Sequence, residues 1–241
     1  MTVAELEERF GISSMTARRD LADLERQGRA RRTHGGAVLP AISAHEDSFV
    51  QRLETAPEAK LALATAAVAT LAPRQSVFLD SSTTAYFVAQ RILDEGLELT
   101  VITNSLPIME LIGTSSSPNV ELIGVCGTLR RLTRSFVGPF AVHTVLGHFA
   151  DRLFLSVKGV TRDGALTDAD PLEADVKAAM IAHAHEAFLL IDDSKLQARG
   201  LNAVGRVADL AGVFTHGVRG RALAALRETG ADVRAIDRES A

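Results

Sequence analysis

The sequence SSMTARRDLADLERQGRARRTHGGA, residues 13–37, combines the spacing of an amphipathic helix with a cluster of arginines. Ser13 is typical of a helix N-cap, because its hydroxyl accepts a hydrogen bond from a backbone N–H that has no partner inside the helix. Ala17, Leu21 and Leu24 follow at intervals of four and three residues and form one apolar stripe. The stretch therefore predicts a helix that packs through this stripe and leaves its other side exposed.

Polar and basic side chains lie mostly off the apolar stripe. Gly28 is predicted to end the helix, and arginines then alternate with small residues up to Gly35 and Gly36, as in a short hairpin with a Gly-Gly tip. A helix followed by a basic hairpin suits duplex DNA, because the helix fits the major groove and the hairpin rests on phosphates. The residues predicted to contact DNA are Ser14, Thr16, Arg18, Arg19, Arg31, Arg32 and His34.

Periodicity alone leaves a plainer alternative open, since an amphipathic helix with arginines is often only a solvated face. The charge distribution favours DNA. Six arginines and three acidic residues lie between positions 14 and 36, whereas the whole chain has a formal net charge of -4. Positive charge is thus concentrated in one segment of an acidic chain.

Residues 3–40 resemble the winged helix-turn-helix of the DeoR family of bacterial repressors. The segments that carry the resemblance are FGIS at 10–13, MT at 15–16, RRDL at 18–21, Leu24, Gly28 and HGGA at 34–37. The resemblance implies a DNA-binding module at residues 1–39 and a role as a transcriptional repressor.

The family has one further helix before the point where this sequence begins. Residues 2–10 are predicted to be helical, with Val3, Leu6 and Phe10 on one face. A monomer rarely leaves such an apolar face open. A start codon placed too late, a genuine truncation and a covering partner all remain possible explanations, and the chain as written is expected to bind DNA weakly or not at all.

Composition is that of an ordinary globular protein. The 241 residues suffice for one good core and a small accessory domain, and 46% of them are hydrophobic. A lone Cys126 excludes an internal disulfide, gives no metal-ligand set and fits a reducing cytoplasm. The most apolar run, 61–72, is shorter than the roughly 20 residues that cross a bilayer, and no signal peptide or cofactor motif is present. A cytoplasmic protein without a membrane partner is predicted.

Residues 40–57 have no sustained period and are predicted to be a linker, with Phe49 and Leu53 as possible docking points on the following domain. Residues 58–241 alternate between helices and short apolar strands. Because the strands lack polar alternation, they predict an α/β domain with a parallel sheet covered on both faces. Strands are predicted at 76–79, 99–102, 120–125, 152–157, 187–191, 212–215 and 232–236.

The sequence DSSTT, residues 80–84, follows the first of these strands and opens a helix. Ligands of such sheets bind beyond the carboxyl ends of the strands. Hydroxyls and free N–H groups at a helix start favour an anion, since the helix dipole acts in the same direction. A plain capping turn is the alternative.

Polar clusters also follow other strands. They are TNS at 103–105, GTLR at 127–130, KG at 158–159 and DDSK at 192–195. Any one of them is more simply a surface turn, but four at equivalent positions favour a common site. Lys158 and Lys195 would direct positive charge toward a phosphate or a sugar hydroxyl.

The resemblance to the DeoR family extends through this half. It is carried by DSSTT, TNS, SFVGP at 135–139, GALT at 164–167, EADVK at 173–177 and DDSK. It implies an effector domain related in fold to ribose-5-phosphate isomerase and glucosamine-6-phosphate deaminase, which senses a phosphorylated sugar, in a homo-oligomer (dimer or tetramer) that controls sugar-metabolism genes. The predicted effector-binding residues are Asp80, Ser81, Ser82, Thr83, Thr84, Asn104, Gly127, Lys158, Glu173, Lys177 and Lys195.

Two positions depart from the family pattern. Lys158 occupies a position where the family commonly has an aspartate. His216, which follows Thr215, occupies a second such position. The lysine suggests a more anionic effector, such as a doubly phosphorylated sugar or a sugar acid phosphate. The rival interpretation is a sugar-phosphate isomerase with Glu173 as its base, but the missing carboxylate and the basic N-terminal module favour a regulator that is not an enzyme.

Overall fold

A computed structural model describes residues 2–26, 31–33, 35–38, 46–196 and 198–236. The chain divides into two compact units, Met1–Asp47 and Ser48–Ala241. The division falls inside the segment 40–57 that was predicted to be a linker, and the predicted domain boundaries themselves stay a prediction.

The described residues of the first unit form two helices and a hairpin. Its elements are α1 (Val3–Phe10), α2 (Ser14–Arg26), β1 (Arg31–Thr33) and β2 (Gly36–Val38). The Ser13 hydroxyl accepts a hydrogen bond from Thr16 N at 3.2 Å, as expected of an N-cap. β1 and β2 are antiparallel and pair Thr33 with Gly36, so the hairpin forms where the arginine pattern predicts it. Gly28, the predicted end of the helix, lies outside the described residues.

The second unit alternates helices with strands. Its helices are α3 (Phe49–Glu54), α4 (Pro57–Val68), α5 (Thr83–Asp94), α6 (Leu106–Gly113), α7 (Pro139–Leu146), α8 (Pro171–Ala182) and α9 (Gly220–Glu228). Its strands are β3 (Ser76–Leu79), β4 (Leu99–Thr103), β5 (Val120–Gly124), β6 (Thr128–Arg130), β7 (Ser135–Val137), β8 (Ala150–Leu155), β9 (Gly159–Val160), β10 (Ala165–Asp168), β11 (Ala184–Asp192), β12 (Asn202–Arg206), β13 (Gly212–His216) and β14 (Asp232–Ile236).

Seven strands form one parallel sheet in the order β14-β13-β11-β8-β3-β4-β5. Successive side chains of a strand point to opposite faces, so each central strand contributes to two cores. Phe78 packs in one core with α7 and α8, and Val77 and Leu79 pack in the other with α4, α5 and α6. The predicted parallel sheet covered on both faces is confirmed.

Two smaller sheets were not predicted. β6 pairs with β7 as a hairpin, and β9, β10 and β12 form an antiparallel sheet. These strands are only two to five residues long, and β6 and β12 carry exposed and polar positions that resemble loop sequence.

The segment before α4 is also more ordered than the linker that the sequence predicts. Ser48 and Gln51 form a capping box at the start of α3. Phe49 is 3% exposed and its ring meets that of Tyr86 edge-on at 5.8 Å. This aromatic contact anchors α3 on α5, because burying a phenylalanine contributes about 1.5–3 kcal/mol.

Candidate functional site

The predicted DNA-reading helix α2 has one buried and one exposed side. Ala17 and Leu21 are buried. The predicted contact residues of α2 are all exposed: Ser14, Thr16, Arg18 and Arg19. Arg31 and Arg32 lie on β1 opposite Val38 and Ala37, but their side chains, and His34 altogether, lie outside the described part of the chain.

The predicted apolar face of α1 is largely uncovered in the structure. None of the residues of α1 is buried, and Phe10 is 60% exposed. Val3 and Leu6 are partly exposed.

The predicted effector residues of the second unit gather at the carboxyl edge of the parallel sheet. Residues 80–84 follow β3, Asn104 follows β4, Lys158 follows β8 and Lys195 lies in the 3-10 turn after β11. The sheet order places these strand ends side by side. Glu173 and Lys177 reach the same edge from α8, as their contacts with the loop after β3 show.

Lys177 is the centre of a buried ionic network. Its Nζ donates to Asp80 Oδ2 at 2.6 Å and to the Ser156 carbonyl oxygen at 2.6 Å, and it lies 3.3 Å from Asp168 Oδ2. Burial alone would lower the pKa of Lys177, but Asp80 and Asp168 raise it above the usual value. The lysine is therefore a permanent cation that joins α8 to the ends of β3, β8 and β10.

Glu173 joins three elements through its two carboxylate oxygens. Ser81 Oγ donates to Oε2 at 2.8 Å, and Ser135 Oγ of β7 donates to Oε1. Burial acts to raise the pKa of Glu173, but Lys177 and the hydroxyl donors outweigh it and keep the pKa below its usual value. The carboxylate is thus ionised and already hydrogen-bonded.

The two serine hydroxyls of the loop are used within the protein. Ser81 Oγ donates to Glu173, while Ser82 Oγ donates to Asp80 Oδ1 and accepts from Ala85 N as the N-cap of α5. Thr83 and Thr84 are buried. The first N–H groups of a helix have no acceptors inside the helix, so at this loop the backbone N–H groups of α5 are better placed than the serine hydroxyls to donate to an anion.

Several buried polar atoms at the same edge have no hydrogen-bond partner among the described residues. They are Asn104 Oδ1, Ser105 Oγ, Ser156 Oγ and Thr215 Oγ1. Their residues are at most 4% exposed. Leaving such atoms unsatisfied costs about 1–3 kcal/mol each, and a hydroxyl-rich ligand would offer them partners.

Two cations near this edge were missed at the level of sequence, namely Arg52 of α3 and Lys60 of α4. Lys60 is 5% exposed, and its Nζ donates to the carbonyl oxygens of Arg52 and Thr55. Burial, together with the charge of Lys195, lowers the pKa of Lys60 to about 8. The sequence signal for Lys60 was its position immediately before the apolar run 61–72.

Gly127 has a structural explanation for its residue type. A Cβ at this position would lie 2.7 Å from the Val137 carbonyl oxygen and 3.1 Å from Ala141 Cβ. The absence of a side chain lets the start of the β6–β7 hairpin pass close to α7, so this glycine is required whether or not a ligand binds.

A cavity of about 660 Å³ opens beside the same edge. It is lined by residues that precede Lys60 in α4 and by the ends of β11 and β13, including Asp192 and His216. None of the eleven predicted effector residues lines it.

Comparison with known proteins identifies both units. The profile described as the DeoR-like helix-turn-helix domain matches residues 1–42, and that of the DeoR C-terminal sensor domain matches residues 55–217. The HTH-type transcriptional repressor CsqR of Escherichia coli is 34% identical over 215 residues, which cover 89% of this chain and 81% of that protein. The L-fucose operon activator of E. coli is 30% identical over 217 residues, 89% of this chain and 88% of that protein.

A solved structure, ribose 5-phosphate isomerase A from Neisseria gonorrhoeae, overlaps with 60% of this chain and 56% of its own at 13% identity and a TM-score of 0.43. None of the described helices is long and apolar enough to cross a membrane. With the sensor profile covering more than half of the sequence and relatives above 30% identity over most of it, the chain belongs to the DeoR family of transcriptional regulators.

Proposed function

We propose that the protein represses sugar-metabolism genes, binding an operator in duplex DNA through its first unit and a phosphorylated sugar at the carboxyl edge of the sheet in its second. The observation that carries the DNA-binding half is the exposed side of α2. Thr16, Arg18 and Arg19 face solvent while Ala17 is buried. A recognition helix needs this division, because it packs through one side and reads the major groove with the other.

The experiment selects duplexes from a randomised library with the full chain and measures affinity for the enriched sequence by fluorescence anisotropy. Low salt, about 50 mM, is the starting condition because the binding of basic side chains to phosphates is strongest there. Replacing both Arg18 and Arg19 with alanine should weaken binding and flatten the salt dependence by a log–log slope of about 0.9 for each phosphate that the variant no longer neutralises.

Arg74→Gln is the matched control, since Arg74 is exposed in the second unit and pairs with Glu98. It should leave DNA affinity unchanged. Unchanged affinity and salt slope in the double alanine variant would refute a DNA-reading role for α2.

Three features support the sensor half. The first turn of α5 offers backbone donors to a phosphate, Lys195 and Lys158 lie at neighbouring strand ends, and the unpartnered atoms of Asn104 and Ser156 suit sugar hydroxyls. One relative is named for the L-fucose operon, which agrees with a sugar-derived signal. The effector changes DNA binding only by its differential affinity for two arrangements of a homo-oligomer, a dimer or tetramer on a symmetric operator.

Light scattering tests the oligomer, and addition of sugar phosphates to the protein–DNA complex tests the coupling. The effector should change the anisotropy-derived affinity, whereas the unphosphorylated sugar should not. An affinity that no phosphorylated sugar alters would contradict the sensor.

A regulator is also favoured over an isomerase. Both oxygens of Glu173 accept hydrogen bonds from serines, and its pKa is lowered, which weakens it as a base. Incubation with ribose 5-phosphate should give no ribulose 5-phosphate, and steady conversion that Glu173→Gln abolishes would establish the enzyme instead.

A further inference from the structure

Four cationic residues lie on elements that meet at the carboxyl edge of the sheet. The start of α4 borders the ends of β11 and β13, Lys60 of α4 contacts the Arg52 carbonyl oxygen, and β8 is the neighbour of β11. This cation cluster consists of Arg52 of α3, Lys60 of α4, Lys158 after β8 and Lys195 after β11. Their charges act on one another. The pKa of Lys195 is lowered by burial and, against the opposing effect of Asp192, by Lys158 and Arg52, and Lys195 in turn lowers that of Lys60.

The cluster contains hydrogen-bond donors that the protein does not use. Arg52 Nε and Nη2 are buried, and neither has a hydrogen-bond partner among the described residues. The Arg52 backbone is fixed, because its carbonyl oxygen accepts a hydrogen bond from Lys60 Nζ. An anion beside these two buried nitrogens would accept their hydrogen bonds and offset their desolvation.

Within the cation cluster, Lys195 lies apart from the donors of α5. The turn that carries Lys195 follows β11, whereas the loop 80–84 follows β3, and β8 lies between these two strands. At about 4.8 Å per strand, the two positions are roughly 10 Å apart. One phosphate cannot fill both, but a sugar chain of five or six carbons with an anionic group at each end spans such a distance.

The ground between the two positions is polar. Ser156 lies at the end of β8 and is 4% exposed, and its Oγ has no hydrogen-bond partner among the described residues. This buried hydroxyl is suited to a hydroxyl group of a polyol rather than to an apolar linker.

We propose that the effector carries two anionic groups, one received by the α5 N-terminus at 80–84 and the other by the cation cluster, with a hydroxylated carbon chain between them. Sugar bisphosphates and phosphorylated sugar acids have this chemistry. The inference rests on the proposed sensor function and narrows its ligand.

Isothermal titration calorimetry of the full chain tests it with matched probes. Fructose 1,6-bisphosphate and 6-phosphogluconate carry two anionic groups, whereas fructose 6-phosphate, glucose 6-phosphate and inorganic phosphate carry one. At least one two-anion probe should bind about tenfold or more tightly than every one-anion probe, because a second charge-assisted hydrogen bond is worth at least that factor.

Two variants locate the second anion. Lys158→Asp reverses one charge of the cluster and Arg52→Met removes another. Each should weaken the binding of two-anion probes more than that of one-anion probes and so abolish the preference. Arg74→Gln removes a charge that precedes β3, at the opposite end of that strand from the loop 80–84, in an exposed pair with Glu98, and should keep the preference. Circular dichroism confirms that each variant is folded.

The outcomes separate the two proposals. If no probe binds, the sensor function fails and this inference with it. If one-anion and two-anion probes bind equally, or if Lys158→Asp and Arg52→Met both keep the preference while folded, the two-anion effector is overturned and the sensor function stands.

Discussion

Replacing Lys177 with methionine should destabilise the second unit strongly. The change keeps most of the side-chain volume but removes the cation that contacts Asp80 at 2.6 Å and Asp168 at 3.3 Å. The Lys177 side chain is 6% exposed and that of Asp80 is 1% exposed, so the carboxylates left behind cannot be solvated by water. Removing one partner of a buried pair costs about 3–5 kcal/mol, which in a unit of this size lowers Tm by roughly 6–20 °C.

Chemical and thermal denaturation of the full chain, followed by circular dichroism, measures the effect. In the variant, the buried carboxylates of Asp80 and Asp168 lose the cation that lies beside them in the wild-type protein. The loss should therefore be much larger than that caused by breaking an exposed ion pair.

A double-mutant cycle with Asp80→Asn separates the ion pair from packing. The double variant should be at least about 0.5 kcal/mol more stable than the sum of the single losses implies, because it leaves fewer uncompensated charges. Arg74→Gln, which breaks an exposed pair, should cost less than about 1 kcal/mol. A Lys177→Met loss below about 1 kcal/mol would refute the account of this network.

Three further changes test other parts of the second unit. Phe49→Ala should cost about 3–5 kcal/mol in denaturant unfolding because Phe49 is buried against Tyr86, whereas Phe140→Ala, at a side chain 74% exposed, should change little; equal losses would mean that α3 is not docked. Lys60 has a pKa of about 8 in the folded protein, against 10.5 for an ordinary lysine. Between pH 8 and pH 10.5 the unfolded chain therefore binds more protons than the folded one, and the free energy of unfolding should rise with pH. A Lys60→Met variant with the same pH dependence would disprove this. Gly159→Ala forces a Cβ into the Ala198 carbonyl group and should lower Tm. Gly113→Ala, where a Cβ would meet nothing within 4 Å, should not lower it. A wild-type Tm for Gly159→Ala would show that residues 198–200 can move away at no cost in stability.

The parallel sheet was accessible to sequence reasoning because its strands are continuous apolar runs. Val77, Phe78 and Leu79 are all fully buried, since helices cover both faces. The short antiparallel strands were not accessible. Thr128–Arg130, for example, has a mixed polar pattern and is held by its partner β7 rather than by a deep core.

The position of the candidate site could be predicted from the sequence, but the contacts between its side chains could not. Parallel strands bring their carboxyl ends to one edge, so residues 80–84, Asn104 and Lys195 were expected to meet there. That Ser81 is bonded to Glu173 was not foreseeable, because the two residues are 92 positions apart. Arg52 was missed for a related reason, since it lies in a segment whose sequence has no sustained period.

The two edge strands of the parallel sheet constrain how copies of this protein can meet. Among the described strands these are β5 and β14. Both carry charged residues: Glu121 lies on β5, and Asp232 and Arg234 lie on β14. A second chain that extended the sheet by adding a strand would have to desolvate these groups. Charged residues on edge strands disfavour edge-to-edge association in this way in natural proteins. Self-association is therefore steered away from strand addition and toward helical or loop surfaces.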